Sequence, residues 1–349
     1  MYDNSYNKTL SIVVPAYNVK QYLRQCLDSM AGIDDRVEIL IVNDGSTDET
    51  EDIAREYEKK YSNIVVISKK NGGHGSALNT GINSANGKYI KCIDSDDWVK
   101  TSNLKLLLNF MENSDADIII SGYQQFYELE NKVITCCPDS TLNECRYNTE
   151  NIMDAYNLMP DCFVYHGMAY KRELWLDNSI SLSEGVFYED HEYATIPVAF
   201  ADSIEVFTKP VYEYRCGTGN QSVSDEKMVK QIENLERVFI RINDFYNKTE
   251  LKSAVKEYFL HKMKIVINGL FETSLIINRD RKAGQLLAEQ YIEYIQQNAP
   301  ELYTQYVNKY KLLLAFSRCG VKKESYSSLL KLWGRIKGVN RIEKKANAE

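Results

Sequence analysis

No apolar run in this 349-residue chain approaches the roughly 18 residues that cross a bilayer, which excludes an integral membrane helix. The eight cysteines, at 26, 92, 136, 137, 145, 162, 216 and 319, form no CxxC pair and keep no regular spacing. That argues against a zinc site or a disulfide framework, and for scattered reduced thiols in a cytoplasmic chain. The N-terminus is polar, so no signal peptide is expected. The chain also lacks internal repeats and low-complexity linkers.

What remains is an ordinary globular composition, 44% hydrophobic and 26% charged, long enough for one large domain or one with an appendage. The net charge of −7 hides an asymmetry. Residues 226–349 carry 23 Lys and Arg against 14 Asp and Glu, whereas residues 1–225 carry 19 against 35. Two regions are therefore expected, 1–225 and 226–349, with the basic rear near something anionic.

Strands and helices alternate through the first hundred residues. Leu10 to Val14 is a short apolar strand broken by Pro15-Ala16-Tyr17-Asn18, and Asn18 is placed to cap a helix bearing Tyr22 or Leu23, then Cys26, Leu27 and Met30. Val37 to Val42, apolar almost throughout, reads as a strand covered on both faces. After it, Ser46 and Glu49 fit a capping box for a helix reaching about Tyr61, with Asp48 favourable in its first turn. A third strand, Ile64 to Ser68, leads into the glycine-rich Asn71-Gly72-Gly73-His74-Gly75 and a short helix from Ser76. A fourth strand, Tyr89 to Ile93, delivers Asp94, Ser95, Asp96 and Asp97. Such alternation argues for a doubly wound parallel sheet, whose ligands bind beyond the carboxyl ends of the strands. All four candidate loops lie at such ends. Further on, Phe163 to Tyr170 and Pro210 to Arg215 read as strands, Glu189 and Asp190 open a helix running toward Phe200, and helical periodicity dominates from about Asp225.

Three carboxylates crowded at a strand end need a positive partner. A hard divalent cation held by one or two of them, with a diphosphate supplying further oxygens, meets that need. The residues alone also allow Asp96 or Asp97 to be a helix cap, Asp44 to start a turn with Gly45, and Glu189 or His191 to act in place of Asp190. They leave His74 either a neutral loop histidine or a phosphate contact.

Taken together, Ser11-Ile-Val-Val-Pro-Ala-Tyr-Asn18, Val42-Asn-Asp-Gly-Ser-Thr-Asp48, Asn71-Gly-Gly73, Ile93-Asp-Ser-Asp-Asp97 and Glu189-Asp190 resemble the family 2 inverting glycosyltransferases over roughly residues 9–225. The resemblance implies the GT-A fold, a nucleotide-sugar donor and a divalent metal, Mn²⁺ or Mg²⁺. It implies that Pro15, Ala16 and Tyr17 pack around base and ribose, and that Asp44 hydrogen-bonds the base edge, usually uracil. Asn71, Gly72 and Gly73 would line the same donor site. Asp94-Ser95-Asp96 matches the DxD motif, Asp94 toward the ribose and Asp96 on the metal, with Asp97 structural. Asp190 matches the catalytic base.

Relatives often carry Arg before the Asn that follows the Gly-Gly segment, whereas this chain has Leu78-Asn79, so His74 or Lys70 is left to meet the diphosphate. The Gln-x-x-Arg-Trp signature of processive synthases is absent, which favours single transfers over polymerisation. The expected acceptor is a hydroxyl of a glycan or lipid-linked molecule in cell-surface polysaccharide synthesis; no nucleic-acid partner is expected. A sugar nucleotidyltransferase is the rival enzyme class, but its glycine-rich basic loop after the first strand is missing. A non-catalytic glycan- or nucleotide-binding module is the other rival, opposed by the presence of both Asp96 and Asp190. In the rear, Leu329, Leu332, Trp333, Ile336 and Val339 follow one side of a helix with Lys322, Lys323, Lys331, Arg335, Lys337 and Arg341 nearby. This suits peripheral docking on an anionic membrane, or packing on the protein itself with a solvated basic face.

Overall fold

A computed structural model describes residues 8–217 and 224–336, with 330–336 described by backbone alone. The chain divides into two compact units, Met1–Thr218 with Phe245–Phe259, and Gly219–Asp244 with Leu260–Glu349.

The first unit is built on strands β1 (Lys8–Ala16), β2 (Val37–Asn43), β3 (Ile64–Ser68), β4 (Gly87–Cys92), β5 (Trp98–Val99), β6 (Ile118–Tyr127), β7 (Lys132–Cys136), β8 (Arg146–Asn148), β9 (Met168–Lys171) and β10 (Ser203–Cys216). They form one sheet in the order β3-β2-β1-β4-β9-β6-β10-β5, with β7 on β6 and β8 on β10. The first four run parallel, as expected of a doubly wound sheet, and β6 and β10 are parallel to each other. Every residue of β2 is buried, as the apolar run requires of a strand covered on both faces. Helices α1 (Leu23–Asp28), α2 (Thr50–Lys60), α3 (His74–Ser84) and α4 (Thr101–Asn113) connect these strands. Helix α3 presses on β1 so closely that a Cβ at Gly81 would fall 2.3 Å from a Val13 methyl.

The expected strand from Phe163 to Tyr170 is mostly a turn. The Gly167 and Met168 amides both donate to the Val164 carbonyl, at 2.9 and 3.1 Å, and only Met168–Lys171 pairs, antiparallel, between β4 and β6. Gly167 permits this because any side chain there would meet the Cys162 carbonyl at 2.0 Å.

The capping box also does not form. Helix α2 begins at Thr50, whose amide donates to Asp48 Oδ1 at 3.0 Å, while Glu49 pairs with Lys20 at 2.5 Å. Ser46 Oγ accepts instead from the Asn18 amide, and Asn18 Oδ1 accepts from the Thr47 amide at 2.8 Å. Asn18 itself sits at φ 50° and caps no helix. These side chains lace the loop after β1 to the loop after β2, a long-range use that a local capping rule does not see.

After α5 (Ile152–Leu158) and α6 (Arg172–Asp177), the helix expected from Glu189 toward Phe200 is one turn, α7 (Asp190–Tyr193), and then a 3₁₀ turn at Ile196–Phe200. Pro197 at the start of the second turn has no amide to donate back into the first. Tyr258, from the Phe245–Phe259 segment, donates to the Ala194 carbonyl at 2.6 Å and packs edge-on against Tyr156.

Lys91, in β4, is buried, its ammonium donating to the carbonyls of His166 at 2.8 Å and Met168 at 3.4 Å. Burial pushes its pKa down to about 7. Unfolding restores an ordinary lysine near 10.4, so between pH 7 and that value the unfolded chain binds more protons and stability rises with pH. The rise is up to about 1.4 kcal/mol per pH unit. Lys91→Met is expected to remove that slope, seen as a stability difference from wild type that changes sharply between pH 7 and 9. Parallel pH profiles for the two proteins would contradict it.

The second unit is helical: α8 (Asp225–Lys230), much of α9 (Ile232–Lys248) and α10 (Ser253–Glu272), then α11 (Arg281–Asn298), α12 (Pro300–Arg318) and α13 (Lys323–Ile336). Phe271 anchors it, stacked on Tyr306 at 5.2 Å and tilted on Tyr310 at 5.2 Å. Asp280 caps α11 through the Ala283 amide at 3.0 Å. No helix among the described residues is long and apolar enough to cross a membrane. Of the apolar line expected on the last helix, Leu329 is exposed; Lys337, Val339 and Arg341, and the side chains of Lys331, Leu332, Trp333, Arg335 and Ile336, lie outside the described residues.

Candidate active site

The parallel half of the sheet brings four loops to one edge. β1 and β2 run in register to Ala16 and Asn43, and the Asp44 amide donates to the Ala16 carbonyl at 2.9 Å. Pro15 and Ala16 are buried at the strand end, whereas the Tyr17 ring is exposed. Asp44 is 3% exposed, and its carboxylate gathers the glycine loop. It accepts from Lys69 Nζ at 2.8 Å, from the Gly72 amide at 3.0 Å and from the Gly73 amide at 2.8 Å, while Asn71 Nδ2 donates to its carbonyl at 2.9 Å. Gly45, at φ 73°, lets the two loops meet, since a Cβ there would lie 2.9 Å from the Asn71 amide nitrogen.

β4 continues one bond past its last residue, the Ile93 amide donating to Val13, and then releases the aspartates. Their surroundings differ sharply. Asp97 is buried; its Oδ2 accepts from Tyr212 at 2.6 Å and its Oδ1 from the Arg215 amide at 2.7 Å. Burial, then the charges of Asp94 and Asp96, hold its pKa well above the usual carboxylate range. Asp94 accepts from Tyr165 at 2.9 Å, and its Oδ1 also meets His74 Nε2 at 2.9 Å. Burial would raise Asp94, but the charge and hydrogen bond of His74 outweigh it and hold the carboxyl low. Asp96 has no side-chain hydrogen-bond partner among the described residues, and burial followed by the Asp94 charge pushes its pKa up to about 6. Ser95 between them is buried.

A carboxylate left without a protein cation, beside two others that have found partners, fits a metal ligand. Asp96 is therefore the residue with coordination capacity to offer a divalent ion. Asp94, Asp97 and His166 also place donor atoms within 4.8 Å of one another. In that cluster both Asp97 oxygens and Asp94 Oδ1 already accept hydrogen bonds, so an ion there would have to displace them. His166 is packed against Tyr214 and Tyr212, at 4.5 and 4.7 Å between ring centres, and burial pushes its pKa down to about 4.

The second pair of acids approaches from the far end of the unit. Glu189 is buried and hydrogen-bonds His74 Nδ1, so one imidazole spans Glu189 and Asp94. Burial disfavours the imidazolium, but Asp94 and Glu189 together raise the His74 pKa well above its ordinary value. Asp190, the next residue, is exposed, and its carboxylate has no hydrogen-bond or ion-pair partner among the described residues. The loop before it lies flush on the glycine loop. The Gly185 amide donates to the Gly72 carbonyl at 2.9 Å, and a Cβ on Gly75 would strike the Ser183 carbonyl at 2.1 Å.

The candidate residues thus gather around one edge of the sheet, and His74 joins the aspartate triplet to the Glu189-Asp190 pair. Leu78, which precedes Asn79, is fully buried, and Asn79 exchanges two hydrogen bonds with the Leu182 backbone. Reading the sequence passed over Tyr165, Tyr212 and Arg215. Arg215 is 5% exposed, stacks over Tyr22 and Trp98, pairs with Glu128, and donates to the Asp96 carbonyl at 2.9 Å, fixing the turn that carries the triplet. A buried arginine at a strand end is a detectable signal, but its partners come from three separate segments.

Residues 11–173 match the family model described as Glycosyl transferase family 2. Glycosyltransferase EpsJ of Bacillus subtilis, itself described as uncharacterized, is 30% identical over 252 residues, covering 71% of this chain and 72% of the relative. Glycosyltransferase GlyA of Streptococcus pneumoniae is 29% identical over 219 residues, 61% of this chain but only 31% of that longer protein. Among solved structures, S. aureus TarS 1-349 in complex with UDP-GlcNAc superposes with a TM-score of 0.66 at 20% identity, covering 89% of this chain and 92% of that one. The likeness to TarS shows the fold, the GT-A arrangement of a large mixed, mostly parallel sheet with a helical region after it.

Proposed function

Because the chain belongs to glycosyl transferase family 2, we propose that this glycosyltransferase moves a sugar from a UDP-sugar to a hydroxyl of a glycan or lipid-linked acceptor, with inversion and with a divalent metal. The role of the relatives and the ligand of TarS motivate the donor class. The observation that carries the reading is the His74 bridge, which sets Asp94 and Glu189, and with them Asp96 and Asp190, around one ring.

In this reading residues 1–225 form the catalytic domain and 226–349 a helical accessory region. Tyr17 offers an exposed ring to base or ribose. Asp44 shapes the site chiefly through the glycine loop, since its carboxylate already accepts from Lys69, Gly72 and Gly73. Asp94, held by Tyr165 and His74, faces the ribose. Asp96 would hold Mn²⁺ or Mg²⁺, which when bound neutralises charge growing on the departing diphosphate. Asp190 takes the proton of the acceptor hydroxyl as it attacks the anomeric carbon, and its partner-free carboxylate leaves both oxygens available for that hydrogen bond. One displacement needs no enzyme nucleophile.

A thermal-shift panel of UDP- and GDP-sugars with and without divalent metal tests the donor class. UDP-sugars with metal are expected to raise the melting temperature by mass action. A shift with GDP-sugars alone would replace the donor, and no shift with any nucleotide sugar would remove the proposal.

A further inference from the structure

We propose that His74 is a positioning residue that couples the donor-side glycine loop to the segment bearing Asp190. The inference rests on the reading of Asp190 as the base and goes beyond it, because His74 itself touches neither reacting atom.

Three observations carry it. First, both ring nitrogens of His74 are engaged, Nε2 with Asp94 and Nδ1 with Glu189, so no N–H remains for a phosphate oxygen. The ring is a strut between two carboxylates rather than a free cation at the cleft wall. Second, Glu189 is 4% exposed, and a buried carboxylate that loses its partner is strongly disfavoured. The position of the 189–190 peptide therefore depends on the imidazole. Third, the rest of the seam joins the same two segments. Asn79 clasps Leu182 through both its amide nitrogen and oxygen, at 2.9 and 2.8 Å, and its nitrogen also reaches Glu184 at 3.2 Å. Gly185 hangs from Gly72, and Gly73 and Gly185 face each other so closely that a Cβ on Gly73 would lie 3.1 Å from the Gly185 nitrogen. Between the seam and Asp190, Tyr188 sits at φ 72°, a left-handed backbone that a bulky residue adopts only when its flanks impose it. The flanks here are Gly185 on one side and Glu189 on the other. A displacement of residues 72–75 by a bound diphosphate would thus be passed to residues 183–190 by rigid contacts, with His74 as the link nearest the base.

Hydrogen exchange on the full chain, with UDP and Mg²⁺ as the probe, tests the coupling. In wild type, the probe is expected to slow exchange in peptides covering 71–75 and also 183–190. In His74→Ala, slowing at 71–75 should persist while that at 183–190 is lost. Glu189→Gln retains an acceptor for the ring and should keep both. In steady state with a UDP-sugar, His74→Ala should lose at least about tenfold in kcat, with UDP affinity lowered far less because Tyr165 still holds Asp94, and adding Glu189→Ala should cost nothing further, as residues acting through one contact are not additive. Melting curves check that each variant folds, and His74→Ala alone suffices for the exchange test if Glu189→Ala does not fold. Undiminished protection at 183–190 in His74→Ala would overturn the coupling. So would weakened UDP binding with kcat preserved, which would make His74 a phosphate ligand. Failure of the underlying reading looks different: no protection by UDP at 71–75 in wild type, or normal turnover by Asp190→Asn, removes the donor or base assignment and the coupling with it.

Discussion

Asp190→Asn is expected to lower turnover by about 10²–10⁴-fold, the range for general-base catalysis, while leaving UDP-sugar affinity nearly unchanged. Three ionisable neighbours compete for the role, and their surroundings separate them. Glu189 is buried, with its carboxylate on His74. His191 follows within the single turn of α7 and already has a partner within the chain. Asp190 is exposed, and its carboxylate accepts no hydrogen bond among the described residues. The helix it opens is four residues long, too short for its dipole to matter much. Such a carboxylate is a weak base in bulk water, and it becomes effective when an oriented hydroxyl is held against it. The Asn variant keeps shape and backbone while removing the base. Wild-type turnover by Asp190→Asn, with loss in His191→Gln, would show that the base has been misassigned.

The second large effect is expected at Asp96. Asp96→Ala should reduce transfer by roughly 10³-fold, the several kcal/mol that a bound metal supplies to a charged leaving group, and should abolish the metal-dependent part of UDP binding. Asp94 and Asp97 cannot substitute, because Asp94 is tied to Tyr165 and His74, and Asp97 to Tyr212 and the Arg215 amide. A pH dependence follows. The Asp96 carboxyl titrates at about 6 without a metal, so protons compete with the ion below that value. Metal affinity, followed by titration calorimetry, is expected to be nearly flat above pH 7 and to fall as much as tenfold per unit below pH 6. Full activity in EDTA, or unchanged metal dependence in Asp96→Ala, would contradict the role.

The parts of the fold readable from sequence were those set by short-range periodicity. The bounds of β3 agree residue for residue, and β1, β2 and β4 are each found within two residues of their expected ends. The sheet order beyond β4 was not readable. β9 enters antiparallel between β4 and β6, and nothing in Met168-Ala-Tyr-Lys171 distinguishes that placement from a parallel one. The turn before it is set by Gly167 closing on Val164 and Cys162, a steric fact with no signature beyond one glycine.

At the site, the aspartate triplet and the Glu189-Asp190 pair were visible as motifs, but the division of labour within each was not. What separates Asp94, Asp96 and Asp97 is which of them meets Tyr165, Tyr212 or Arg215, and those residues arrive from β10 and the turn before β9. His74 could be read either as a bare loop residue or as a phosphate contact, whereas the structure places it between two carboxylates distant in sequence.

Whether one displacement takes place at this site can be measured without knowing the acceptor. Proton NMR of the sugar first released to water, from the α-linked UDP-sugar that the melting panel selects and with Mg²⁺ present, reads its anomeric form before mutarotation. A β-anomer appearing first is the result expected if Asp190 activates the attacking hydroxyl in a single step. An α-anomer appearing first would contradict both the inversion and the role of Asp190.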